Sequence, residues 1–228
     1  MKSPLNCPSQ TVVRPGDYMR IMFSIAALIV TTGAADLHAR QTPPHCGNLA
    51  APGSQIYDYT NSEDKKMLAT VEAFHFTSDV ENLRAGATGT IGADLNYTLL
   101  MFPNHHRALA AMGKLAQREK TLKPKGAQYS VECFFDRAIR FKPNDAMVRM
   151  VYATYLLQAA QPDRATEQLA LAAELQPDDP TINYNLGLLY VKKKDYEQAR
   201  THARKAYDQG FPLPGLRNQL IQAGKWED

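Results

Sequence analysis

A spacing of 34 residues constrains this chain more than any other feature of it. Pro143-Asn144-Asp145 recurs as Pro177-Asp178-Asp179, and the same offset carries Ala153 onto Gly187, Ala165 onto Ala199 and Ala172 onto Ala206. Repetition at a period of roughly 20–50 residues marks units that bury their apolar faces on one another. Within the last unit, apolar residues at helical spacing lie on either side of the polar break Lys192-Lys193-Lys194-Asp195, which predicts two antiparallel helices joined by a turn. The small residues are then the points where helices approach most closely, and Leu186, Tyr190, Tyr152 and Leu169 fill the space around them. Proline closes the unit because it disfavours the α conformation in the residue before it.

Further copies extend the pattern upstream. Leu109, Met112-Gly113 and Ala116 fit a first helix, and Val131, Phe135, Ala138 and Pro143 a second. Pro103 to Pro143 spans six residues more than the period, and the stretch TLKPKGAQ absorbs the surplus as a longer turn, an insertion of small entropic cost. Ile91, Leu95 and Pro103 mark the second helix of a degenerate copy. Its partner is expected as a short helix near Asp79 to Ala85, opened by a Ser78/Glu81 capping box and stopped at Gly86. Glu63 to Leu68 reads as a helical turn capped by Ser62, with LATVEAFHF continuing it. At the other end Leu216, Leu220, Ile221 and Ala223 predict a capping helix, sealed by Trp226, over the apolar face of the last repeat.

Period and pattern resemble the tetratricopeptide repeat. Leu186-Gly187, Tyr190 and Ala199 match its signature, although Asn183 stands in place of a large aromatic and Phe211 in place of a proline. The likeness is carried by residues 104–210. It implies an all-α, tetratricopeptide-type α-solenoid of about three repeats plus a degenerate N-terminal repeat and a C-terminal capping helix. It further implies a non-enzymatic scaffold that holds a protein or peptide in a groove lined by the first helix of each repeat. On this chain that groove takes in Arg107, Ala110, Lys114 and Arg118, then Met147, Met150, Thr154 and Leu157, then Tyr184, Asn185, Leu188 and Lys192. It is basic at one end and apolar in the middle, which suits an acidic or amphipathic partner segment.

Residues 19–39, MRIMFSIAALIVTTGAADLHA, have the make-up of a secretory signal: Arg20, an apolar run from Ile21 to Val30, then small residues. Cleavage is expected after Ala35 or Ala39. The apolar run is about half of the ~20 residues that span a bilayer, so no permanent membrane span is expected in the mature chain. The polar stretch ahead of Met19 is unusual before a signal and suggests Met19 as an alternative start. The chain therefore divides into an N-terminal extension and signal peptide over residues 1–39, an irregular link over 40–76 and a repeat domain over 77–228. The expected place is the bacterial periplasm or the exterior, and the expected role is assembly or stabilisation of an envelope, secretion or pilus-like complex.

Composition excludes other classes. The 26 basic and 23 acidic side chains leave a formal charge of +3, with no basic stripe interleaved with aromatics, which argues against nucleic acid. No nucleophile motif, paired-cysteine metal site or phosphate-cradling loop is present; GATGTIG lacks the following lysine and hydroxyl. No cofactor is expected. His105 and His106 point about 100° apart on a helix and so do not face one metal; Asn104 is expected to cap that helix, with both histidines in its first turn. A small metal-dependent or histidine-based enzyme using His75, His105 and His106 is the competing reading, and a polysaccharide-associated envelope protein a third. Asn96-Tyr97-Thr98 has the glycosylation pattern but falls inside a predicted helix. Cys46 and Cys133 either pair in an oxidising compartment or stay apart, with Cys133 a buried small residue and Cys46 a loop thiol.

Overall fold

The recurring Pro-x-Asp tripeptides become helix starts. In the computed structural model, which describes residues 46–49 and 55–226, Asp145 accepts a hydrogen bond from the Val148 amide and Asp179 one from the Ile182 amide. Each carboxylate thus satisfies a backbone donor that the first turn of a helix leaves unpaired. The matching turns also repeat. Ala160 and Lys194, again 34 residues apart, both take the left-handed conformation (φ +56° and +62°). Past them, the Gln161 amide donates to the Leu156 carbonyl and the Asp195 amide to the Tyr190 carbonyl, closing one helix and launching the next.

The described residues include ten α-helices and a 3₁₀ turn at Ser62–Asp64, and no strand occurs among them. They are α1 (Lys65–His75), α2 (Ser78–Glu81), α3 (Ile91–Met101), α4 (His106–Glu119), α5 (Val131–Phe141), α6 (Ala146–Gln158), α7 (Pro162–Leu175), α8 (Pro180–Lys192), α9 (Tyr196–Asp208) and α10 (Gly215–Gln222). From α4 onward the helices pair as hairpins, α4 with α5, α6 with α7 and α8 with α9. α4 also lies on α6, α7 on α8, and α10 covers α8 and α9. The result is an α-solenoid of three hairpins with a capping helix. The six surplus residues fall in the turn between α4 and α5.

The alanines and glycines of the repeat lie where helices touch. Ala153, Ala165, Ala172, Ala199 and Ala206 are wholly buried. A Cβ on Gly187 would come within 2.5 Å of Leu216 in α10, and one on Gly113 within 3.1 Å of the Tyr155 ring. Larger side chains complete two cores. The main one runs from Phe76 and Val80 through Leu109, Phe135 and Leu156 to Leu189. A smaller one joins Tyr184, Ala199, Ala203, Ala206, Leu216 and Leu220, with Trp226 packed at its margin.

The front of the array differs from expectation in its pairing. α2 is a single turn, capped by Thr77 rather than Ser78, and it touches α3 and α4 only as a bridge. The helix that packs along α3 is α1, formed within the segment read as a link. The preceding 3₁₀ turn is capped by Asn61, not Ser62. Each helix buries a single valine, Val71 in α1 and Val80 in α2, but only the eleven residues of α1 are long enough to run beside α3. The signal sequence and the stretch before Met19 lie outside the described residues.

Cys46 and Cys133 are bonded, with their Cα atoms 5.0 Å apart. The bond pins Cys46 to Leu49 against α5, where Arg137 is buried. Its guanidinium donates to the Cys46 carbonyl at 3.1 Å, the Leu49 carbonyl at 2.6 Å and the Asn48 carbonyl, and lies over the Tyr129 ring. Three carbonyl dipoles and an aromatic face stand in for a carboxylate partner, which is how a buried cation is tolerated here.

Candidate functional site

The three histidines at the front of the array are held apart by three separate acids. His105 is fully buried between Tyr59 and Phe76, with ring centroids at 4.2 and 4.7 Å. Its Nδ1 accepts from the Ala108 amide at 3.1 Å, so the ring proton sits on Nε2 and points to Glu72 Oε1, also at 3.1 Å. His105 itself is therefore the N-cap of α4, and the expectation that Asn104 caps this helix is corrected. Asn104 is instead a buried bridge: its amide nitrogen donates to Asp58 and Asp145, and its oxygen accepts from the Tyr59 amide. Burial, with Arg107 nearby, pushes the His105 pKa down to about 3 and keeps the ring neutral.

His106 bonds through Nε2 to the Asp145 carboxylate at 2.9 Å, and His75 through Nδ1 to Asp94 at 3.1 Å. Burial raises the Asp145 pKa, but the bonds from His106, Asn104 and the Val148 amide outweigh it and leave the carboxyl below its usual range. Each ring fixes a helix start or a loop. No group of three His, Cys, Asp or Glu side chains suited to a metal ion occurs among the described residues.

The groove expected from the sequence falls on α4, α6 and α8. Arg107 and Arg118, expected at its basic end, are taken up by the α1–α2 segment. Arg107 donates to Glu81 Oε1 at 2.8 Å and to Glu72 at 3.2 Å, and Arg118 donates to the Leu83 carbonyl. Their role at this end is to fasten the front of the array to α4. Lys114 and Thr154 come together on the rim of a cleft of about 200 Å³ between α4 and α6, with Leu109, Ala110, Gly113 and Tyr155 lining it. Met147 and Met150 are half-buried, and Met150 packs on the main core. Leu157 does the same. On α8, Leu188 and Asn185 are half-buried, the latter donating to the Thr181 carbonyl at 2.9 Å, while Lys192 is exposed. Tyr184 does not face the groove: it is buried, stacked on Phe211 at 4.1 Å within the C-terminal core. Phe211, where the pattern has proline, supplies the ring that Tyr184 stacks on.

Sequence reasoning also missed how Asn183 works in an aromatic's place. Fully buried, it donates to the Pro177 and Asp179 carbonyls and accepts from His202 Nδ1 at 2.8 Å, while His202 stacks on Tyr190. Asn183 thus ties α8 to the turn before it and to α9, where an aromatic ring would only pack. Nothing in the local pattern couples residues 183 and 202; only the hairpin does.

Among solved structures the chain is similar to PilF of Pseudomonas aeruginosa, a tetratricopeptide-repeat protein. The two share 19% identity over 72% of each chain, with a TM-score of 0.50. The fold is a tetratricopeptide-type solenoid. No protein-family model matches the sequence, and no curated protein matches it at a significant level. In a tetratricopeptide-type solenoid the first helices of the hairpins, here α4, α6 and α8, share one face. Among the described residues no helix is long and apolar enough to cross a membrane.

Proposed function

We propose that this chain is an exported, non-enzymatic scaffold of the bacterial envelope that holds a protein or peptide partner on the face of α4, α6 and α8. In that role it assembles or stabilises an envelope, secretion or pilus-like complex. The observation that carries the reading is the cleft between α4 and α6, apolar inside and edged by Lys114, on a solenoid of this type. Export draws support from the signal-like residues 19–39 and from the Cys46–Cys133 bond, which persists in oxidising compartments. A scaffold is favoured over histidine chemistry because His75, His105 and His106 are each committed to capping or loop contacts.

Two measurements test the reading together. Fractionation of cells expressing the full chain should place a form lacking the signal in the periplasm or medium. Crosslinking in the intact envelope, followed by affinity capture, should recover a partner whose yield drops with Lys114→Glu and Lys192→Glu. A full-length cytoplasmic protein, or a partner profile indifferent to both substitutions, would overturn it.

A further inference from the structure

The surplus residues of the α4–α5 turn are not needed to close a hairpin, since α6–α7 and α8–α9 close without them. Yet this turn carries the most exposed large apolar side chain among the described residues, Leu122, at 70%. Lys120, Lys123 and Lys125 flank it and are exposed as well. The turn is nonetheless anchored. The Leu122 carbonyl accepts from the Val131 amide at 2.9 Å, the Lys125 carbonyl from the Thr90 hydroxyl at 3.1 Å, and the Asn96 side chain from the Gln128 amide at 2.8 Å. Gly126 (φ +90°) passes so close to the start of α3 that a Cβ there would come within 2.3 Å of Thr90 Oγ1.

The other hairpin turns lie along the same edge of the array. Gln117 bonds Gln158 at 2.7 Å, which sets the C-terminal ends of α4 and α6 side by side, and Lys193 of the α8–α9 turn pairs with Asp163 at the start of α7 at 2.7 Å. Lys192, Lys193 and Lys194, all exposed, therefore stand on the edge that carries Leu122. The carboxylates of these turns are Glu119, Asp163, Asp195 and Glu197. Glu119 accepts from the Lys125 amide, Asp163 is taken by Lys193, and Asp195 caps α9. Beside them Glu132 and Arg164 pair with each other at 3.0 Å. The opposite edge, where the turns between hairpins lie, holds the cap aspartates Asp145 and Asp179, and Lys142 there is paired with Asp58 at 2.7 Å.

A single leucine on a protruding, anchored turn offers no hollow to a shaped partner. It suits a fluid surface that closes around it, and lysines beside it then stand at the level of anionic headgroups. We propose that this edge of the array rests on an anionic phospholipid bilayer. Leu122 enters between the headgroups, Lys120, Lys123 and Lys125 meet their phosphates, and the lysines of the α8–α9 turn add attraction from the far end of the edge. The contact is peripheral and reversible. It lies apart from the face of α4, α6 and α8, so it goes beyond the scaffold reading and does not depend on it.

Co-sedimentation of the full chain with vesicles of phosphatidylglycerol and phosphatidylethanolamine, read against vesicles of phosphatidylcholine alone, provides the test. The difference isolates the charge-dependent binding and sets aside any contribution of the apolar run from Ile21 to Val30, which both vesicles share. That difference should be positive, fall as salt rises, and weaken by about tenfold or more with Lys123→Glu/Lys125→Glu. Leu122→Asp should weaken it by about tenfold, whereas Leu122→Trp should retain it and add emission that brominated lipid quenches. Lys65→Glu/Lys66→Glu makes the same change in net charge at the start of α1, next to Asp64, which accepts from the Asp58 amide at the opposite edge; it should leave binding unchanged. Circular dichroism keeps misfolded variants out of the comparison. No excess binding to the phosphatidylglycerol vesicles overturns the proposal. Equal loss with both lysine pairs overturns it in favour of net charge, and an added emission that brominated lipid leaves untouched overturns the seat of Leu122. Vesicle binding unmoved by Lys123→Glu/Lys125→Glu, with loss of a protein captured from the envelope, overturns it in favour of a protein on this edge.

Discussion

His105 shows how much one side chain carries at the front of this array. It caps α4 through Nδ1, meets Glu72 through Nε2 and fills the space between Tyr59 and Phe76. Its pKa is about 3 in the folded chain against 6.5 ordinarily, so the unfolded chain binds a proton more readily. Stability is then full above the unfolded value and falls as pH drops through the window from about 6.5 towards 3. Burial, with Lys205 nearby, also lowers His202, which adds loss of the same sign. Urea unfolding between pH 6.5 and 5, where carboxylates are still ionised in both states, should lose up to about 1.4 kcal/mol per pH unit for each proton taken up. His105→Asn, which can still cap, should remove one proton's worth of that slope; an unchanged slope would show that His105 is not the group responsible. The sequence showed a histidine near a helix start and attributed the cap to its neighbour. The distinction was not legible, because it depends on Asn104 being drawn away to Asp58 and Asp145, residues 46 positions upstream and 41 downstream.

At the scale of elements, the 34-residue offset was enough to place α6 to α9 and their small contact residues, since each follows from local spacing and helix packing. Two features of the turns were not legible. The left-handed positions Ala160 and Lys194 are not glycine, so the usual signal is missing, and their side chains hold a conformation that costs roughly 1 kcal/mol or more. Lys194→Gly should therefore stabilise the chain by about 0.5–1 kcal/mol, read as a higher thermal midpoint, with Gln198→Gly in the following helix as a destabilising control. The other is the clamp on α5. The cysteine count left pairing open, and nothing in the local pattern marks Arg137 as a buried cation that gathers carbonyls from residues 46 to 49. Cys133→Ser should cost about 2–4 kcal/mol in urea unfolding, and reductant should lower the parent protein to the same level. Helical dichroism should persist, because the bond secures a segment draped on α5 and not the hairpins themselves.

For the molecule as a whole, the division into two cores predicts uneven stability. The main core extends over helices α2 to α8, whereas α9 and α10 depend on the smaller cluster around Leu216 and Leu220. In stacked arrays each unit is supported chiefly by its neighbours, so the end resting on fewer buried contacts opens first. Hydrogen exchange should find weaker protection in α9 and α10 than in α4 to α7. Leu216→Asp should abolish protection at that end and leave α4 to α7 protected; uniform loss would mean the array melts as one. The groove expected from the resemblance falls on α4, α6 and α8, helices that the repeat spacing places. It was not legible at the level of which side chains remain available there, because Arg107 and Arg118 are engaged by a non-repeating segment and Tyr184 by Phe211.

The seat of Leu216 over Gly187 has a consequence for how such an array changes length. The lid is keyed to the one hairpin it closes, by a leucine lodged where that hairpin offers only hydrogen. Duplicating a unit ahead of this final hairpin would keep lock and key together, whereas inserting one behind it would separate them.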